Sequence, residues 1–337
     1  MKKPIILCFV LALSLLSAGI VVRLPEGGQV NLYSDYYALI IGNSDYQYFP
    51  KLRGVKKDVQ DIKAMFDRLG IHSEVQEDLS GQQMLEVLNR FIAGYGTKAD
   101  RGLIIYYAGH GYTEDTFAGK QVGYIVPVDA PLYNKDVALF RQLGVSMNKI
   151  KELASLIQSR HVLMIFDSCF AGTIFRGNPG VPKAIEAKVA EPVRQFITAG
   201  DANEEVPDAS IFKSTLKKGL EDGDADTNGD GFITGQELGY YLSLEVTNYS
   251  NGSQHPQYGK LNEPDFDRGD FVFALAKPVQ PMKVETTAPP KPQIETVWLY
   301  GNLEVETNLA GDLYLNGDKF QSLAAGQKAK ISKLVTG

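Results

Sequence analysis

The sequence predicts an α/β protein: a mainly parallel sheet with helices on both faces, three layers in all, followed by a small C-terminal β module. Three observations carry this. Continuous apolar runs of strand length alternate with stretches of helical apolar spacing, a proline-rich break follows at residues 277–295, and residues 296–337 alternate apolar and polar side chains.

The N-terminus, MKKPIILCFVLALSLLSAGIVVRL, sets two lysines before an apolar run that ends in small residues, the layout of an export signal. No clear A-x-A site follows, and the run from Pro4 to Val22 approaches the roughly 20 residues that span a bilayer. Residues 1–22 therefore read either as a cleaved signal peptide or as a retained membrane anchor. Both place the protein outside the cytoplasm: periplasmic, at the cell surface or secreted. Cys8 lies within the apolar run, so no lipid-attachment cysteine follows LSAG.

Residues 30–276 form the main domain. YYALIIGN (36–43) reads as a strand ending at Gly-Asn, and the helix after it repeats apolar residues at Val55, Val59, Ile62, Met65, Phe66 and Leu69. The same grammar returns in HSEVQEDL, helical GQQMLEVLNRFIAGYG and RGLIIYYAGHG, then in helical MNKIKELASLIQ, RHVLMIFDSC and VRQFITAG. KQVGYIVPVDA adds a small hairpin, expected at the sheet edge. The segment PVQPMKVETTAPPKP suits a semi-rigid linker. Beyond it, turn signals divide 296–337 into short antiparallel strands.

A net charge of −6, with no Lys/Arg stripe interleaved with aromatics, excludes a protein that works by neutralising phosphates, so nucleic acid is not an expected partner. Cys169 is the one cysteine outside the N-terminal run, which excludes a disulfide within the mature chain. An unpaired thiol in an oxidising compartment invites a chemical role; a buried, inert cysteine is the alternative.

In an open parallel sheet, reactive groups collect beyond the C-terminal ends of the strands. Two strands here end in such groups: LIIYYAGHGY delivers His110 between glycines, and VLMIFDSCFAG delivers Cys169. If the strands are neighbours, imidazole and thiol meet at one rim. A free thiol with pKa ~8.5 is only a few per cent thiolate at neutral pH, and an adjacent imidazole can take its proton. Glycine beside each lets backbone N–H groups approach a substrate carbonyl.

Together with YALIIGNSDY and LRGVKKDVQDIKAMF, these motifs resemble the caspase-like cysteine peptidases, in their bacterial and metacaspase-related branch, over residues 36–276. The resemblance implies a caspase-like sandwich in which Cys169 is the nucleophile and His110 the proton carrier. The N–H groups of Gly111 and Cys169 would face the oxyanion, and a thioester acyl-enzyme would be released by water. It also implies that Asp167 and Asp58 line the pocket for the side chain before the scissile bond, where two carboxylates attract Arg or Lys. Read without the resemblance, Asp58 is equally a solvated residue of a first helical turn. The chain departs from the pattern at Phe170 and Ala171, where metacaspase relatives commonly carry His-Ser, and at Ala108, where some carry Ser. The Q-A-C signature of animal caspases is absent. The phrase GNLEVETN…GDLYLNG resembles part of a PEGA-type surface repeat.

DTNGDGFITGQE (226–237) fits the EF-hand loop template at every fixed position. Asp226, Asn228 and Asp230 offer side-chain oxygens, Phe232 its carbonyl, Thr234 a water-mediated contact and Glu237 a bidentate carboxylate for Ca2+. The alternative is an Asn-Gly/Asp-Gly turn with no ion.

The expected function is thus a calcium-binding cysteine endopeptidase that acts on peptides or proteins after Arg/Lys. The rival is a catalytically idle caspase-like scaffold that meets partners at the cell surface through the β module. The segment from Gly172 to Arg194, with Arg176 and Lys183 among Pro and Gly, reads either as an activation loop or as a passive surface loop.

Overall fold

The computed structural model describes residues 21–23, 29–31, 33–169, 191–200, 210–261, 263, 265–275, 300–306, 311–315, 318–323 and 328–335. The signal or anchor segment up to residue 20, the Cys169 side chain, residues 170 and 171, residues 172–190 of the candidate activation loop and the whole proline-rich linker lie outside it. The chain divides into two units, residues 1–282 and 283–337.

In the first unit a two-stranded ladder, β1 (Val21–Arg23) and β2 (Gln29–Asn31), precedes the alternating part. The chain then runs β3 (Asp35–Gly42), α1 (Val55–Arg68), β4 (His72–Glu77), α2 (Gly81–Tyr95) and β5 (Arg101–Ala108). Next come β6 (Gly111–Asp115), β7 (Gln121–Ile125), α3 (Val137–Leu143), β8 (Val145–Ser146), α4 (Met147–Ser155), β9 (His161–Cys169) and β10 (Val193–Gly200). It closes with α5 (Ile211–Lys217), β11 (Phe232–Thr234), α6 (Gly235–Tyr249), β12 (Gln257–Lys260) and β13 (Val272–Ala274). The central sheet has the order β12-β10-β9-β5-β3-β4, parallel throughout except β12, which pairs antiparallel with β10.

The central strands β3, β5, β9 and β10 are buried on both faces, which is why their cores read as apolar runs. Side chains alternate between the faces. Ile40, Ile104, Tyr106, Leu163 and Ile165 pack with Val59, Ile62 and Phe66 of α1, Phe212 and Leu216 of α5 and Leu242 of α6. On the other face Ile41, Ile105, Tyr107, Met164 and Phe166 meet Met84, Leu88 and Phe91 of α2 and Ile150 and Leu153 of α4. Each such large side chain contributes roughly 1.5–3 kcal/mol on burial.

Helix starts are set by short polar side chains. Ser80 forms a reciprocal box with Gln83, and Ser146 and Ser210 accept from the N–H groups of Lys149 and Lys213. The hairpin expected at the sheet edge is not there: β6 and β7 pair with β8 in a separate three-stranded sheet. Its aromatic side, with Tyr124 and Phe140, forms its own small core, so it need not borrow the edge of the main sheet.

In the second unit β14 (Tyr300–Glu306) pairs antiparallel with β17 (Lys328–Val335), and β15 (Gly311–Leu315) with β16 (Asp318–Leu323).

Candidate active site

Strands β5 and β9 are adjacent and parallel, with Ala108 opposite Asp167. His110 and Cys169 each follow that pair by two residues, so the backbone carries both to the same rim of the sheet.

At Gly109 the chain leaves β5 with φ 157°, and a Cβ there would lie 2.5 Å from Tyr46 Oη and 2.6 Å from Tyr107 Oη. Those two hydroxyls hold the next residue. Tyr46 Oη accepts the His110 N–H at 2.8 Å, and the Tyr107 hydroxyl donates to the His110 carbonyl at 2.8 Å. The imidazole packs beside Tyr46 and Phe49, with ring centroids 4.7 and 5.4 Å away. His110 Nε2 lies 2.7 Å from the Pro50 carbonyl. A carbonyl can only accept, so Nε2 carries the proton and the lone pair of the neutral ring sits on Nδ1. Burial pushes the imidazole pKa below 6.5, with the Pro50 carbonyl opposing. The ring is therefore a neutral base at pH 7.

Gly111 opens β6 opposite Ile125. The Val126 N–H donates to the His110 carbonyl at 3.0 Å, and alternation along an antiparallel ladder then makes Gly111–Ile125 a pair without mutual hydrogen bonds. The Gly111 N–H points away from β7.

Asp167 shares its sheet face with Leu163 and Ile165, the face covered by α1 and α5. It is 6% exposed. Its Oδ2 accepts the Tyr106 hydroxyl at 3.0 Å and the Ser210 hydroxyl at 2.7 Å. Among the described residues, its buried Oδ1 has no partner. Burial drives its pKa up to about 6; Ser210 and Tyr106 pull it down, and nearby Asp58 pushes it further up.

Asp58 is no solvated first-turn residue. It falls on the apolar stripe of α1 with Val55, Val59 and Ile62, and is 7% exposed. It borders a cavity of about 800 Å³ lined also by Ser210 and Lys213. Lys213 Nζ lies 2.7 Å from Asp58 Oδ1 and 3.0 Å from Asp61 Oδ2. Asp58 thus lies close enough to Asp167 to raise its pKa, and between α1 and α5 stands a cation that motif reading missed. Pro50, Tyr46, Tyr107 and Ser210 were missed too. Tyr46, within the NSDY phrase, and Tyr107, within LIIYYAGHGY, lie in stretches that had drawn notice, though not for these roles.

The loop at 226–237 turns through Gly229 (φ 71°) and Gly231 (φ 85°). Asp226 accepts the N–H groups of Gly229, Asp230 and Gly231 at 2.9–3.2 Å. β11, the end of the loop, pairs antiparallel with β13, and Ile233 is fully buried. Glu237 caps α6, its Oε2 accepting the Thr234 N–H at 2.9 Å, while Oε1 accepts the Thr227 hydroxyl at 3.2 Å. Among the described residues no three His, Cys, Asp or Glu side chains are gathered as a metal cluster. The all-oxygen donor set fits a hard dication, provided Glu237 exchanges its cap for the ion.

Comparison with known proteins adds three findings. The human mucosa-associated lymphoid tissue lymphoma translocation protein 1 is 33% identical over 102 residues, 30% of this chain, and its mouse homologue matches equally. The match spans only 11% of the length of those relatives. A crystal structure of a Geobacter sulfurreducens protein aligns with a TM-score of 0.46 at 14% identity, covering 68% of this chain and 95% of that one. The family model for the caspase domain matches residues 35–290, about three quarters of the sequence, and the chain belongs to that family of cysteine peptidases.

Proposed function

We propose that the protein is an endopeptidase working through Cys169 and His110, with a preference for Arg or Lys before the cleaved bond. The observation that carries this is the orientation of His110: Nε2–H is tied to the Pro50 carbonyl at 2.7 Å, leaving Nδ1 as the acceptor, two residues past the end of the strand next to the one that ends in Cys169.

The chemistry then follows. The Cys169 thiol gives its proton to His110 Nδ1 and the sulfur attacks the scissile carbonyl. The N–H groups of Gly111 and Cys169 donate to the oxyanion. Collapse of the tetrahedral intermediate breaks the C–N bond; His110 returns the proton to the departing amine, and water, deprotonated by the same imidazole, hydrolyses the thioester. The buried Oδ1 of Asp167, without a partner among the described residues, supports the basic preference: it offers a carboxylate oxygen to an incoming guanidinium or ammonium. Competition between Arg, Lys and Asp fluorogenic peptides tests the preference. Cleavage after Arg and Lys with little after Asp is expected; faster cleavage after Asp would overturn it.

The loop 226–237 is proposed as a structural calcium site, with Asp226, Asn228, Asp230, the Phe232 carbonyl and Glu237 as ligands. It would brace the turn between α5 and α6. Export, which the N-terminal run suggests, would keep such a site supplied in the ~0.1–1 mM range typical of extracellular modules.

A further inference from the structure

The charge at this pocket that the proposed chemistry leaves unused is that of Lys213. Its side chain is 12% exposed and bridges Asp58 of α1 and Asp61 one turn further on. Burial works against its charge, but the hydrogen bonds to the two carboxylates outweigh that and hold its pKa above the ordinary value. Asp61 has a second cation, Lys57, at 2.9 Å, whereas Lys213 is the one salt-bridge partner of Asp58 among the described residues. Three residues before Lys213, Ser210 caps the same helix and holds Asp167 Oδ2 at 2.7 Å. One short helix therefore supplies a hydroxyl to one pocket carboxylate and a cation to the other. Arg53, Lys57, Lys213 and Lys218 line the cavity against the single carboxylate of Asp58. The carboxylate of Asp58 is thus already paired by a cation of the protein itself.

We propose that Lys213 is a resident cation of this pocket, competing with the substrate's basic side chain for Asp58 and so setting how strongly an arginine- or lysine-type group is held. This rests on the reading that Asp58 and Asp167 bound the pocket for that side chain. Two cations at one carboxylate repel, so the incoming group must share Asp58 or drive Lys213 back onto Asp61. A lysine that merely braced α5 against α1 would affect thermal stability and every ligand alike. A resident cation affects charged ligands and spares their neutral isosteres.

The test is binding to the full chain carrying Cys169→Ala, measured by calorimetry with a short peptide ending in arginine amide and its uncharged counterpart ending in citrulline amide. Lys213→Met is expected to bind the arginine peptide about tenfold more tightly while leaving the citrulline peptide unchanged, and Lys213→Arg to behave as the parent. No gain for arginine, an equal change for citrulline, or no saturable binding to any of the three proteins overturns the proposal. Should Lys213→Met fail to fold, the side-chain ammonium resonance of Lys213 in the parent decides. It must shift as the arginine peptide saturates, and an unmoved resonance overturns the proposal. Cleavage plays no part in these readouts, so a failure of the peptidase reading, judged by labelling of Cys169, is separately visible.

Discussion

At the scale of single residues, the orientation of His110 is set by atoms of three other residues. The Pro50 carbonyl fixes its tautomer and the hydroxyls of Tyr46 and Tyr107 fix its backbone. Replacing His110 by Ala is expected to lower kcat roughly 10²–10⁴-fold with the fold intact, measured by steady-state cleavage. Asp167 gives a pH signature. With its pKa near 6 it is charged above that pH and neutral below, so KM for arginine peptides should rise as pH falls through 6. Asp167→Asn should raise KM above pH 6, match the parent below it and so abolish that limb, and citrulline peptides should never show it; an unaltered limb in Asp167→Asn would assign it elsewhere. The residues proposed for the chemistry and its pocket, Cys169, His110, Asp167 and Asp58, could be named from the sequence because they sit at strand ends or in motifs. Pro50 could not, because it acts through its backbone, and Lys213 could not, because it meets Asp58 across 155 positions of chain.

At the scale of elements, the parallel strands and the helices that cover them were legible, since burial on both faces writes a continuous apolar run. β12 was missed: QYGK is short and polar, and only its pairing with β10 makes it a strand. β13 was missed for a related reason, as its partner is the calcium-type loop rather than a neighbouring sheet strand. This pairing ties the loop to the core through Ile233, so calcium should stabilise the whole domain. At a hundred times its Kd, calcium bound at the proposed site would contribute about 2.7 kcal/mol. Differential scanning calorimetry should show a higher Tm in calcium than in chelator, and Glu237→Gln should remove most of the difference. Equal melting temperatures in both conditions would eliminate the site.

At the scale of the molecule, two buried groups on β9 oppose each other as pH falls. His161, held by Tyr33 at 2.6 Å and the Glu191 carbonyl at 2.8 Å, has its pKa driven down by burial from 6.5 to about 4. The unfolded chain takes up that proton first, so this contribution to stability is present above pH 6.5 and is lost towards pH 4. Asp167 is the reverse: its folded pKa is raised from 3.8 to about 6, so it favours the folded state increasingly over nearly the same interval. Each amounts to about 3 kcal/mol, and they largely cancel. Urea unfolding of Asp167→Asn between pH 7 and 4 should therefore lose stability more steeply than the parent, by up to about 3 kcal/mol. Parallel pH profiles would contradict this assignment.

The central claim is that Cys169 is a nucleophile activated by His110. Incubation of the full chain with an irreversible thiol-directed peptide carrying arginine, followed by intact mass and peptide mapping, tests it most directly. One adduct is expected, on Cys169, formed rapidly in the parent, slowly in His110→Ala and not at all in Cys169→Ala. A parent protein that stays unlabelled, or one labelled at the same rate with and without the imidazole, would contradict it.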